Sequence, residues 1–211
     1  LSAPDDASVL SLNESTALIT TVDFFPPIVR NPFDYGYISA LNALSDVFAM
    51  GGTARAALLI CGFPESMSQS DMIACVEGAK AACAQSDTEI VGGHTVRVAE
   101  AVFGLSVIGY VHPEKIWRKS GMQPGDVLML SKPLGTGVLI AARSPEIEDI
   151  AIKTLQISNL AARNTLAELS DGVHAVTDVT GFGLAGHLSE MISDSNVEVN
   201  ILLNRESVIP E

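Results

Sequence analysis

The apolar positions of the chain fall into two periods. Ala17 to Phe25 is apolar and β-branched, as in a strand, and Pro26-Pro27 ends it because neither residue can donate to a ladder. From Asp34 to Met50 the period changes: Tyr37, Leu41, Leu44 and Phe48 recur at helical spacing. Asn31-Pro32 marks the start of that helix and Gly51-Gly52 its end. Leu58 to Cys61 reads as a strand. A helix capped by Ser70 follows, with Met72, Ile73, Val76, Ala79 and Cys83 on its inner face. Glu89 to Val91 predicts a short strand running into Gly92-Gly93, and Val102 to Val111 a partly alternating one.

Gln123-Pro124-Gly125-Asp126 is a turn between periodic segments and the expected domain boundary, dividing the chain into 1–122 and 123–211. Beyond it the pattern predicts strands at Val127–Leu130, Ala175–Thr177 and Val197–Leu203. It predicts one long helix from Ile147 to Leu169 and another from Leu184 to Ile192. Strands alternate with helices throughout, so the expected class is α/β or α+β.

Composition narrows the function classes. The chain has 211 residues, 47% hydrophobic and 18% charged, which is globular composition. Gly, Asp or Arg interrupts every apolar stretch before it reaches membrane-spanning length. A net charge of −13 argues against a nucleic-acid binder, which wants a basic face. Cys61, Cys75 and Cys83 form no C-x-x-C pair and read as small buried side chains. The opening Leu1-Ser2-Ala3-Pro4-Asp5-Asp6 lacks the basic-then-apolar order of a signal peptide, so the expected setting is the cytosol.

Aspartates are the strongest chemical theme. Asp23 interrupts an apolar strand, where a charge is costly to bury unless paired or metal-bound; the other reading is a half-exposed strand with Asp23 in water. Asp46 lies off the apolar stripe of its helix, on a face with Ser39 and Asn42, and reads either as plain surface or as a site. Asp178 ends an apolar segment before Val179-Thr180-Gly181-Phe182-Gly183, as a ligand-site carboxylate or a helix cap. Asp5-Asp6 reads by itself as a solvated terminal pair. Gly92-Gly93-His94-Thr95 and Pro133-Leu134-Gly135-Thr136-Gly137 offer backbone N–H groups to a phosphate or make ordinary turns; the second is not a Walker A sequence. Lys132 reads as a phosphate contact or a solvated lysine. Converging carboxylates repel by roughly 1–4 kcal/mol per pair at 4 Å. A divalent cation removes that cost, and oxygen ligands favour Mg²⁺ shared with substrate phosphates.

Five ordered blocks carry a resemblance across nearly the whole chain. They are Thr20-Thr21-Val22-Asp23-Phe24-Phe25-Pro26-Pro27 with Asn31-Pro32-Phe33-Asp34-Tyr35-Gly36; Asn42-Ala43-Leu44-Ser45-Asp46 to Gly52; Gly92-Gly93-His94-Thr95; Lys132 to Gly137; and Thr177-Asp178-Val179-Thr180-Gly181-Phe182-Gly183 to Leu188. Together they resemble the selenophosphate synthetases, in the aminoimidazole ribonucleotide synthetase superfamily. The resemblance implies two α/β domains, the first pairing between subunits into a shared β-barrel homodimer and the second expected truncated here. It implies conversion of ATP, selenide and water to selenophosphate, AMP and phosphate. Asp6, Asp46 and Asp178 would then bind Mg²⁺. Asp5, Asp23 and Asp46 would contact ATP, and Gly93, His94 and Thr95 would reach it from the partner subunit. The family's upstream glycine-rich segment with Cys or selenocysteine and Lys is not in this sequence, so its catalytic residues are not assigned here. The alternative readings are a non-catalytic dimerising paralogue, or a thiamine-phosphate or purine-pathway enzyme of the same superfamily.

Overall fold

The period-2 segments of the first half pair into one sheet. The computed structural model describes residues 5–142, 144–169, 172–193 and 195–209. β1 (Ser8–Asn13), β2 (Thr16–Phe25), β3 (Thr53–Phe63), β4 (Glu89–Arg97) and β5 (Val102–Val111) form a five-stranded sheet in the order β1-β2-β5-β3-β4. Only β3 and β4 run parallel. That pairing needs a crossover, which α2 (Gln69–Ala84) supplies. The mixed α/β class is as the alternating pattern predicts.

Helix α1 (Pro32–Ala49) crosses the inner face of the sheet. Asn31 starts it, accepting from the Phe33 and Asp34 N–H groups, and Gly51 closes it in a left-handed conformation with φ 75°. Its packed side, with Leu44, Val47 and Phe48, buries Ile19, Phe103, Leu105 and Val107 of the sheet. α1 and α2 cross closely because each has a glycine at the contact. A Cβ on Gly36 would lie 1.9 Å from the Cys75 carbonyl oxygen, and one on Gly78 2.0 Å from that of Phe33. The three cysteines are buried and free.

Several elements differ from the pattern reading. β1 was not expected; Ser8 to Ser11 pair it to β2, and Asn13 accepts from the Ser15 N–H in the turn between them. Ser68, not Ser70, caps α2 by accepting from the Asp71 N–H. β4 does not stop at its glycines but continues to Arg97, because Gly93 lets it pass close to β3, where a Cβ would sit 2.4 Å from the Leu59 carbonyl oxygen.

After a 3₁₀ turn (Pro113–Lys115) the second half contains α3 (Thr136–Ala141), α4 (Pro145–Leu155), α5 (Leu160–Leu169) and α6 (Gly183–Ile192). The long helix expected over 147–169 is two helices, broken at Gln156–Asn159. Ser158 accepts from the Leu160 N–H and Asn159 reaches across to Ser45, so local capping and a tertiary bond override the periodicity. The segments 127–130, 175–177 and 197–203, expected as strands, form no strand; in 175–177 the Val176 N–H donates to the Arg118 carbonyl but no ladder follows. Among the described residues the second half has only an isolated bridge, Leu134 to Val208. Among the described residues no helix is long and apolar enough to cross a membrane.

Candidate active site

Alternation on β2 and the helical repeat on α1 bring two polar pairs together. Ala17, Ile19, Thr21, Asp23 and Phe25 share the inner face of β2, so Asp23 points at α1 and not at water. Asn42 and Asp46 lie one turn apart on the facing side of α1. Asn42 Nδ2 donates to Asp23 Oδ2 at 2.7 Å, and the Thr21 hydroxyl donates to Asp46 Oδ2. Asp46 is 8% exposed, so the surface reading of its helix face fails. Those small polar groups form the floor of a site.

Asp6, just before β1, and Asp178, before α6, join this floor. The Asp6 side chain is 3% exposed; its Oδ1 meets the Lys119 ammonium at 2.9 Å and accepts from the Thr177 hydroxyl at 3.0 Å. Its Oδ2 is buried without a partner. The site is electrostatically strained. Burial pushes Asp46 up to about 8, against the Thr21 hydrogen bond, and the charges of Asp178, Asp23 and Asp6 add to the rise. Burial likewise pushes Asp6 up to about 6, opposed by the Lys119 hydrogen bond and augmented by Asp178. Asp23 is raised by burial and then by Asp178. Four carboxylates from distant parts of the sequence therefore act on one another through a shared space.

Among the described residues no three His, Cys, Asp or Glu side chains form a group able to hold a metal ion alone. The arrangement suits a cation that takes only one or two protein carboxylates and completes its shell with phosphate oxygens and water, as Mg²⁺ does. The unpartnered Asp6 Oδ2 is an atom that could serve as such a ligand.

Lys132 is not the solvated side chain that sequence suggested. Its ammonium donates to the Ile157 carbonyl at 3.0 Å, at the break between α4 and α5. Burial lowers its pKa, while the charge of Asp178 acts the other way. A cation thus stands near the carboxylate cluster.

The remaining predicted residues lie elsewhere. Asp5 accepts from the Arg118 guanidinium and the Lys119 N–H, both at 2.9 Å. Gly93, His94 and Thr95 are exposed on β4. The row Asp23, Leu105, Leu59, Gly93 crosses the sheet through three strand spacings, roughly 14 Å. Within one chain these residues stand well away from the aspartates.

Some partners had a sequence signal and others had none. Thr21 and Asn42 could be found from the faces they share with Asp23 and Asp46. Nothing in the pattern singles out Lys119, which meets Asp6, or Glu190, which meets Lys119; both contacts arise only through the tertiary fold.

The N-terminal domain of AIR synthase related proteins matches residues 4–111, and their C-terminal domain matches 123–210. The chain is 46% identical over 201 residues to a selenide, water dikinase of Paraburkholderia xenovorans, covering 93% of this chain and 57% of that protein. It is 43% identical over 212 residues to one from Enterobacter sp. (strain 638), covering 98% and 60%. The chain thus spans under two thirds of these curated relatives. In structure it resembles AaThiL complexed with AMPPCP and TMP (TM-score 0.76, 22% identity, 92% of this chain, 66% of that one). It also resembles the hydrogenase maturation protein HypE in complex with ATP (TM-score 0.74, 21% identity, 88% and 58%). At those identities the likeness shows the fold alone.

Proposed function

The chain belongs to the AIR synthase related proteins, and on that premise we propose that it is the nucleotide- and metal-binding part of an ATP-dependent selenide, water dikinase. The reaction is the formation of selenophosphate, AMP and phosphate from ATP, selenide and water. The observation that carries the reading is the convergence of Asp6, Asp23, Asp46 and Asp178: the Asp178 charge acts on the other three, and those of Asp23 and Asp6 act on Asp46. The substrate class rests on relatives of that name at 42–46% identity over nearly all of this chain.

In this reading Asp6, Asp46 and Asp178 hold Mg²⁺, and Asp23 and Asp46 with the Asp5 segment face the nucleotide. Held by those carboxylates, the cation would supply positive charge to offset that of the phosphates in phosphoryl transfer. Thr21 and Asn42 orient the floor carboxylates, and Lys132 offers an ammonium to the phosphates from the side of Asp178. The domains divide at 122/123, and free buried cysteines fit a reducing cytosol.

A second copy of the chain completes the site. The outer face of the sheet exposes Leu10, Val22, Phe24, Leu58 and Tyr110, an apolar face of the kind that marks an interface. Pairing two such faces in a shared barrel would bring Gly93, His94 and Thr95 of one subunit toward the aspartates of the other. Phe24→Asp is expected to shift a dimer to monomer in light scattering after size exclusion.

The function is tested on two levels. Asp46→Asn and Asp178→Asn are each expected to weaken Mg²⁺-dependent ATP binding by at least about tenfold, the loss typical of even an outer-shell change; unchanged titration calorimetry rejects the site. An ATP-consumption assay on a full-length version should respond to selenide and not to thiamine monophosphate. The reverse response rejects the substrate.

A further inference from the structure

Asp6 is held unusually for a terminal aspartate. One of its oxygens has two donors, Lys119 Nζ at 2.9 Å and Thr177 Oγ1 at 3.0 Å, and the other, equally buried, has none. A carboxylate pinned through one oxygen by donors from two directions cannot rotate freely. Its second oxygen then keeps a fixed direction at no further entropic cost.

The pin is itself braced. The Lys119 side chain is 15% exposed, and its ammonium also meets Glu190 Oε2 of α6 at 3.0 Å. Its backbone N–H donates to Asp5, and the preceding Arg118 takes both that carboxylate and, through its carbonyl, the Val176 N–H. The segment between the two matched domains is thus stitched to the start of β1 on one side and to the Thr177–Asp178 loop and α6 on the other. An ordinary exposed ion pair would contribute little, but the Lys119 ammonium is largely withdrawn from water and meets two carboxylates.

We propose that Lys119 and Thr177 are positioning residues that clamp Asp6 Oδ1 so that Oδ2 is presented to the divalent cation shared with Asp46 and Asp178. The inference rests on the metal reading above and extends it to the linker and to α6. Outer-shell partners of this type are worth about 10–100-fold in metal affinity. Simple charge repulsion acts in the opposite direction: an ammonium near a dication weakens its binding, so removing the lysine would tighten the site if repulsion dominated. The sign of the effect therefore decides between a clamp and a bystander.

The experiment measures Mn²⁺ binding to the full chain in the presence of ATP, by the loss of the free-ion paramagnetic resonance signal, alongside melting temperature. Lys119→Met and Thr177→Val are each expected to lower Mn²⁺ affinity about tenfold with melting temperature unchanged. Lys119→Arg, which keeps the charged donor, is expected to recover most of the loss. Binding by Lys119→Met that is as tight as the parent, or tighter, overturns the clamp. A loss that follows a fall in melting temperature and is not recovered by Arg also overturns it, leaving Lys119 a purely structural tie. If Lys119→Met does not fold, Thr177→Val decides alone, because it exchanges a hydroxyl for a methyl; unchanged affinity there overturns the proposal. A parent chain that binds no Mn²⁺, with Asp178→Asn indistinguishable from it, removes the metal reading and the clamp together.

Discussion

Residues 5–111 and residues 123–209 carry similar apolar patterns and fold differently. In the first region every strand-like run finds a neighbour: β2, β5 and β3 are paired on both edges, and Ile19, Phe103, Leu105 and Val107 are buried beneath α1. In the second, Val127, Met129 and Leu202 belong to runs of the same character yet are 83%, 78% and 94% exposed. A strand is a relation between two segments, and period alone cannot supply the second. What the second region does supply is polar: Thr177, Asp178, Glu190 and Lys132, around a floor the first region builds. One region provides stiffness and the other donors and charge.

The largest test of that contrast is a pair of truncations. Phe103 is fully buried between Tyr35 and Phe63, with ring centroids 6.0 and 6.1 Å away. Phe103→Ala is expected to cost about 3–5 kcal/mol in urea unfolding. Leu202→Ala, at 94% exposure, is expected to change stability by less than about 0.5 kcal/mol. A comparable loss at Leu202 would mean that the second region packs as the first does.

The same contrast explains what the sequence made legible. β5 and α1 were readable nearly to the residue, because their apolar runs are long and the ends of α1 are marked locally, by Asn31 at one end and Gly51 at the other. Asp23, Asp46 and Asp178 were readable as oddities, polar where the pattern asked for apolar or small. That Asp23 and Asp46 point inward was not readable, since a strand with one polar position looks the same from either face. The break at Gln156–Asn159 was hidden because its causes, Ser45 and Lys132, lie far away in sequence. Lys119 was hidden for the same reason.

The junction between the regions is where pH should act. Asp46 and Asp6 are raised to about 8 and about 6 in the folded chain, chiefly by burial, from the ordinary carboxylate value of 3.8 that unfolding restores. Between pH 4 and 8 the folded state therefore holds protons that the unfolded state has released, so stability falls as pH rises through that window. A one-unit difference in pKa is worth about 1.4 kcal/mol. The chain in chelator is expected to lose at least ~2 kcal/mol from pH 5 to pH 8, and Mg²⁺ with ATP should restore it at pH 8. Glu190 and Asp126 are held low, Glu190 by the Lys119 hydrogen bond and Asp126 by the Gln123 N–H, so their contributions are lost only as pH falls below this range. Denaturant midpoints at the two pH values check the sign. A flat or rising profile would show that the aspartates do not share one buried space.

The smallest effect gives the cleanest form of the comparison, because it holds the chemistry constant. Asn31 and Asn204 are both helix caps, and each accepts two backbone N–H groups at its Oδ1. Asn31 begins an 18-residue helix that carries much of the core. Asn204 begins a 3-residue turn with no buried residue. A cap contributes to global stability only as far as the element it starts is lost in global unfolding. Asn31→Ala is accordingly expected to cost about 1 kcal/mol. Asn204→Ala should stay within a few tenths of a kcal/mol, roughly the scatter of surface substitutions. Urea unfolding followed by circular dichroism separates the two. Equal losses would mean that the Asn204 turn unfolds together with the first region, and that the two regions share one cooperative unit despite their different packing.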